Sequence, residues 1–153
     1  MRKHASAEHN QSNPRNQRNL LSAYQSVKSA IGIQSVKSAK IIIYQKPTCT
    51  TCRQVFAILK ESGVDFESVN YYVDAIPKTK LKQLLKKMGI TARELLRSKE
   101  AVYKELKLGE RDLNEEEFVD VMVRHPDLIE RPIVERGGKA ILARPAARVR
   151  EIL

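Results

Sequence analysis

The sequence predicts an α/β fold whose elements run βαβ, then a block of helices, then ββα. Three observations carry this reading. A β-branched run and a second apolar run flank a segment of helical periodicity, the whole unit spanning about 30 residues. Residues 78–125 keep helical spacing almost throughout. Two short apolar runs around Gly137-Gly138 then precede a last helical stretch.

The elements follow in order. Lys40 to Tyr44 (Lys-Ile-Ile-Ile-Tyr) reads as a short buried strand, because β-branched side chains pack well on a pleated surface. Pro47 and the threonines break it. From Cys52 to Ser62, Val55, Phe56 and Leu59 share one helical face, and Gly63 provides the stop. Phe66 to Tyr72 reads as a second strand, parallel to the first and joined to it by a right-handed crossover. After Pro77, Leu81, Leu84, Leu85 and Met88 define the next helix, which Gly89 ends. Thr91 and Glu94 form a capping-box pattern that opens a short helix through Leu95 and Leu96. Ala101 to Leu106 adds a further turn or two. Asn114 to Arg124 is helical, with three glutamates in the first turn, where the helix dipole favours anions, and Pro126 ends it. Ile133–Glu135 and Ala140–Ala143 form a hairpin, and Ala146 to Leu153 is the closing helix. A Cys-x-x-Cys at the start of the first helix and Pro132 before the third strand complete a thioredoxin-like plan. The helices at about 78–125 form an inserted subdomain.

Length and composition agree with one such domain at 40–153. The chain has 153 residues, 42% hydrophobic and 30% charged, enough to bury a core. No apolar run approaches the ~18 residues of a membrane span. The polar start lacks the apolar core of a secretory signal, so a cytoplasmic protein is expected. Net charge is +10, but residues 1–40 hold seven basic residues against Glu8 alone. Residues 1–40 thus carry +6 of the surplus, which does not point to nucleic acid. A mildly basic body also suits a small oxyanion substrate. Residues 1–39 read as a disordered or weakly helical basic extension. Its first half is rich in Asn, Gln, Arg and Ser, and Gln-Ser-Val-Lys-Ser-Ala occurs at 25–30 and again at 34–39. Leu20, Tyr24, Val27 and Ile31 fall at helical spacing. The basic, Ser-rich character is also similar to that of an organelle transit peptide.

Cys49 and Cys52 are the chain's two cysteines, too few for a secreted disulfide scaffold. Their spacing reads as a redox pair or half a zinc site. Zinc would need two more ligands, and the histidines are His4, His9 and the distant His125, so no metal is expected. Between a strand and a helix, the Cys49 sulfur lies near unsatisfied N–H groups that favour its thiolate. Cys52, one turn on, can resolve an adduct on Cys49 or simply pack. Arg97 follows Leu95-Leu96 at a helix end, Arg131 precedes Pro132, and Arg144 precedes Pro145.

Four segments together carry a family resemblance: Ile-Tyr-Gln-Lys-Pro-Thr-Cys-Thr-Thr-Cys-Arg (43–53), Glu-Leu-Leu-Arg (94–97), His-Pro-Asp-Leu-Ile-Glu-Arg-Pro-Ile-Val (125–134) and Leu-Ala-Arg-Pro (142–145). Over about 40–153 the chain resembles the glutaredoxin-linked arsenate reductases. The resemblance implies that Cys49 is the nucleophile that attacks arsenate. It implies that Arg97, Arg131 and Arg144 hold the oxyanion, and that Pro132 is a cis-proline beside the active site. It also implies a thiol oxidoreductase with no bound cofactor, which takes electrons from glutathione and glutaredoxin or from thioredoxin. Guanidinium groups suit a multiply charged tetrahedral oxyanion because they stay charged and donate paired hydrogen bonds.

Two positions depart from the family pattern. Gln45 stands where such reductases often have histidine, and Cys52 where they typically have serine. The Cys-x-x-Cys form is similar to that of Spx-type redox-sensing transcription regulators, which bind the RNA polymerase α subunit. That regulator and a generic disulfide reductase are the alternative readings. The Arg144-Pro145 pair points to the arsenate reductases.

Overall fold

A computed structural model of the protein describes residues 39–153; the expectations for the basic extension lie outside the described residues, apart from its last position. The elements are β1 (Ile41–Gln45), α1 (Thr50–Glu61), β2 (Phe66–Asn70), α2 (Lys78–Met88), α3 (Ala92–Leu95), α4 (Ala101–Glu105), α5 (Glu115–Arg124), β3 (Ile133–Arg136) and β4 (Lys139–Leu142). Two 3-10 segments, Pro126–Leu128 and Ala146–Ile152, precede β3 and follow β4.

The strands form one mixed sheet in the order β2-β1-β3-β4. β1 runs parallel to β2, from Ile41 opposite Phe66 to Gln45 opposite Asn70. β3 is antiparallel to both β1 and β4. Alternation along the strands divides the core into two. Ile41, Ile43, Val134 and Ile141 point to the side covered by α1 and the last 3-10 segment, meeting Val55, Leu59, Val149 and Ile152. Ile42, Tyr44, Ile133, Ala140 and Leu142 point to the other side, where Leu81, Leu84, Phe118 and Met122 of the helical block cover them. A strand covered on both faces explains the unbroken apolar run at 41–43.

Three of the differences from the sequence reading have a clear physical reason. α1 begins at Thr50 with Cys49 as its N-cap, two residues earlier than periodicity suggests. β2 stops at Asn70 and does not reach Tyr72. The Asn70 carbonyl accepts from the amides of Val73 and Asp74, both at 2.9 Å, and its side chain accepts from Tyr72 N–H at 3.2 Å, so the chain turns. The closing helix is 3-10: Ala146, Val149 and Ile152 face the core at intervals of three, the repeat of that helix.

Glycine matters at the two points where the chain reverses. Gly89 caps α2 at φ 68°, accepting no strain there, and Gly137 turns the β3–β4 hairpin at φ 57°. The short α3 is held by the expected capping box. Thr91 Oγ1 accepts from the Glu94 amide at 3.2 Å, and the Glu94 carboxylate accepts from the Thr91 amide at 2.7 Å.

Candidate functional site

Cys49 ends the loop that leaves the central strand. Its N–H donates to the Lys46 carbonyl at 2.9 Å, and its carbonyl accepts from Arg53 N–H at 3.0 Å as the first turn of α1 closes. As the N-cap of α1 it stands at the positive end of the helix dipole. Cys52, three residues on, is fully buried, whereas Cys49 is half-buried; both thiols are free.

The two thiols are tuned in opposite directions. Burial by itself pushes Cys49 up, but the Cys52 amide, the Cys52 thiol, the charge of Arg131 and the Thr51 amide together outweigh it and hold the thiol below its ordinary value. Burial dominates at Cys52. The Lys46 amide opposes it, the neighbouring Cys49 adds to it, and the thiol is pushed up to about 12. One sulfur is therefore ready to ionise and reachable. The other is protonated and enclosed.

The arginines are assembled by a backbone seam. Arg97 N–H donates to the Leu128 carbonyl and Glu130 N–H donates to the Leu95 carbonyl, both at 2.9 Å, with Leu96 and Ile129 bridged between them. This brings the end of α3 against the segment that enters β3. Arg131 is almost enclosed, at 6% exposure. Its Nη1 donates to Tyr72 Oη at 3.0 Å and to the Asp127 carbonyl at 3.4 Å. Arg144 Nη1 donates to the Arg131 carbonyl at 3.4 Å. The Arg131–Pro132 and Arg144–Pro145 peptide bonds are both cis.

Arg131 and the cysteine loop share a further support that the sequence reading did not single out. Tyr72 Oη donates to the Asp127 carboxylate, which also pairs with Lys46 Nζ at 3.3 Å, and that ammonium lies 4.1 Å over the Tyr72 ring. Burial, reinforced by the bond to Asp127, keeps Tyr72 a neutral phenol. The bond from Tyr72 holds Asp127 below the usual carboxylate range against its partial burial. Lys46 and Asp127 lie inside the motif segments, but their pairing required the fold.

The structure therefore places Cys49, Cys52 and Arg131 within electrostatic reach of one another, and links Arg97 and Arg144 to Arg131 through the seam and a shared backbone. An open cleft of about 620 Å³ is lined by Thr51, Leu96, Glu130, Arg144 and Pro145 among others; Cys49, Arg97 and Arg131 lie outside its lining. Gln45 is buried and donates from Nε2 to Ser68 Oγ at 2.6 Å, across to β2, so it brings no charge to the thiolate. Among the described residues, no group of three or more His, Cys, Asp or Glu is placed to hold a metal ion. No described helix is long and apolar enough to cross a membrane. A thiolate beside guanidinium groups is equipped to attack a small anion, because their charge offsets the repulsion that attack must overcome.

Comparison with known proteins matches residues 44–152 to the ArsC family model. The protein YfgD of Escherichia coli K12, described as uncharacterized, is 44% identical over 115 residues, covering 74% of this chain and 97% of that protein. An arsenate reductase of Haemophilus influenzae is 37% identical over 114 residues, covering 74% and 98%. The solved structure of an arsenate reductase from Vibrio cholerae superposes with a TM-score of 0.72 at 36% identity, covering 75% of this chain and 98% of that one.

Proposed function

Because the chain belongs to the ArsC family, with its thioredoxin-like fold, we propose that it is a thiol oxidoreductase that reduces arsenate to arsenite through Cys49. The observation that carries the proposal is the half-buried thiol at the N-cap of α1, held below its ordinary pKa with help from the enclosed Arg131. Relatives named arsenate reductase favour the enzyme over the polymerase-binding regulator.

In the proposed sequence, Arg97, Arg131 and Arg144 bind the oxyanion and spread its charge. The Cys49 thiolate forms an S–As bond to arsenic(V), and an arsenate oxygen leaves as water after taking up protons. The Cys52 thiol then attacks Cys49 Sγ, its proton passing to an oxygen of the departing arsenic group. The S–As bond breaks, its electron pair stays on arsenic, and arsenite departs as a Cys49–Cys52 disulfide forms. Two electrons pass from the sulfur pair to arsenic. Cys52 suits this second role because burial shields it from solvent and sets it one turn from Cys49. Glutathione with glutaredoxin, or thioredoxin, returns the pair to dithiol by exchange. Such donors place the enzyme in a reducing compartment, the cytoplasm. No bound cofactor enters the sequence.

The test is a coupled assay of the purified protein with arsenate, comparing glutathione plus glutaredoxin against thioredoxin. Arsenate-dependent oxidation of either donor is expected, and none with either defeats the proposal. Arg144→Lys keeps the charge but loses the planar fork. It should weaken arsenate binding, read by thermal shift, by ~1.5–3 kcal/mol, the worth of a charged hydrogen bond. Cys52→Ser should keep the fast-reacting thiol but yield no internal disulfide after arsenate, so the mass loss of two hydrogens disappears. If wild type releases arsenite without that loss, or Cys52→Ser reduces arsenate as fast as wild type, the role of Cys52 is wrong.

A further inference from the structure

Each of the three arginines already has a carboxylate partner within the protein. Glu100 Oε1 lies 3.0 Å from Arg97 Nε and 4.0 Å from Arg131 Nη2. Glu130 Oε2 lies 3.6 Å from Arg144 Nη1. The two glutamates differ in kind. Glu100 forms a local pair one turn along the chain and ties two guanidinium groups together. Glu130 is pinned by its backbone to Leu95, yet its Oε2 is buried and accepts no hydrogen bond. On the adjacent residue, Arg131 Nε is buried and has no acceptor. An acceptor without a donor thus adjoins a donor without an acceptor, and unmade hydrogen bonds of buried groups are costly. Glu130 and Arg144 both line the cleft that opens beside Thr51 of α1.

We propose that Glu130 is an internal stand-in for the substrate oxyanion: its carboxylate holds Arg144 until a more highly charged anion displaces it, so Glu130 selects which anions the site admits. The inference rests on the three arginines being an oxyanion site, as proposed above. The selection follows from charge. A carboxylate carries one negative charge and two acceptor oxygens. A dianionic arsenate or phosphate carries two charges and more acceptors, enough to satisfy the Arg144 fork more fully than Glu130 does. A monoanion such as nitrate offers no gain over the glutamate it would replace. Glu130 therefore acts as a specificity-determining residue that lowers affinity for every anion and excludes the weakly charged ones.

Glu94 is the natural control. It lines the same cleft, but its carboxylate is committed to the Thr91 capping box and pairs with no arginine among the described residues. The experiment titrates the full-length protein with arsenate, phosphate and nitrate by calorimetry, for wild type, Glu130→Gln, Glu130→Asp and Glu94→Gln. It also measures steady-state kinetics with arsenate. Glu130→Gln should bind arsenate and phosphate about fivefold more tightly, near the upper range for an ion pair whose arginine is exposed to solvent. It should gain measurable nitrate inhibition and lower KM with kcat little changed. Glu130→Asp keeps the charge with a shorter reach, and should fall between the two even if the glutamine variant folds poorly. Glu94→Gln should bind like wild type. Unchanged or weaker oxyanion binding in Glu130→Gln overturns the inference, and Glu130 then merely orients Arg144. An equal gain in Glu94→Gln also overturns it, since the cleft's total charge then suffices. Either result, with wild type still binding and reducing arsenate, leaves the enzymatic proposal standing. If no variant binds any oxyanion, both fall.

Discussion

Replacing Cys49 by serine should lower arsenate-dependent turnover by a thousandfold or more, the order of loss when a covalent nucleophile is removed. The serine hydroxyl does not ionise near neutral pH, and the Cys52 thiol cannot substitute for it. Cys52 is enclosed on the buried face of α1 and pushed up to about 12, chiefly by burial. Iodoacetamide labelling checks the same assignment without substrate. In Cys52→Ser, the surviving Cys49 should react with a midpoint below the ordinary thiol value, the direction set by the Cys52 and Thr51 amides and by Arg131 against its partial burial. In Cys49→Ser, labelling near neutral pH should be slow. A faster thiol in Cys49→Ser than in Cys52→Ser would reverse the two roles.

The second large effect concerns stability, at a group remote from the cysteines. Glu135 of β3 is buried, accepts from Tyr44 Oη at 2.9 Å, and pairs with Lys80 at 2.8 Å and Lys87 at 2.5 Å, both of α2. This one carboxylate ties the helical block to the sheet. Burial pushes its pKa up, but Lys80, Lys87 and Tyr44 outweigh it and hold the carboxyl below its usual value. Glu135→Ala should cost about 3 kcal/mol at pH 7, the low end for breaking a buried pair, because both lysines keep partial access to water. The pH dependence fixes the sign. With its folded-state pKa depressed, Glu135 contributes its full stabilisation above the unfolded value of about 4.3 and loses it as pH falls through the folded value. Urea unfolding at pH 7 and pH 3 should therefore show a gap between wild type and variant that shrinks in acid. A gap of equal size at both pH values would mean that packing, not charge, sets the cost.

These two sites show what the chain reveals before it is folded. The α/β order, the two-sided burial of β1 and the helical block were legible because hydrophobic spacing reports burial directly. Tyr71 and Tyr72 misled because their composition suits a strand, while the turn that removes them depends on hydrogen bonds to Asn70. The last segment could not be told from an α-helix, since 146, 149 and 152 suit either repeat over so short a run. Cys49, Cys52 and the three arginines could be named as candidates from motif and spacing. Tyr72, Glu100 and Asp127 could not be weighed as functional. A charged or amphipathic residue reads as solvent-facing until its neighbours are known, and Glu100 meets Arg131, and Tyr72 meets Asp127, from distant parts of the chain. Glu135 failed for the same reason: nothing local announces that two lysines of another element converge on it.

The seam between Leu95–Arg97 and Leu128–Glu130 has a consequence for how this protein can change over time. The two amide hydrogen bonds close residues 98–127 into a loop whose ends meet at the proposed oxyanion site. Lengthening a closed loop costs little, only about 0.6 kcal/mol for each doubling. α4, within its first part, contributes no fully buried side chain. Insertions or deletions around α4 should thus be tolerated by natural drift, with Arg97 and Arg131 kept in place. Between Arg131 and Arg144 there is no such slack, because two paired strands and their two-glycine turn fill the interval.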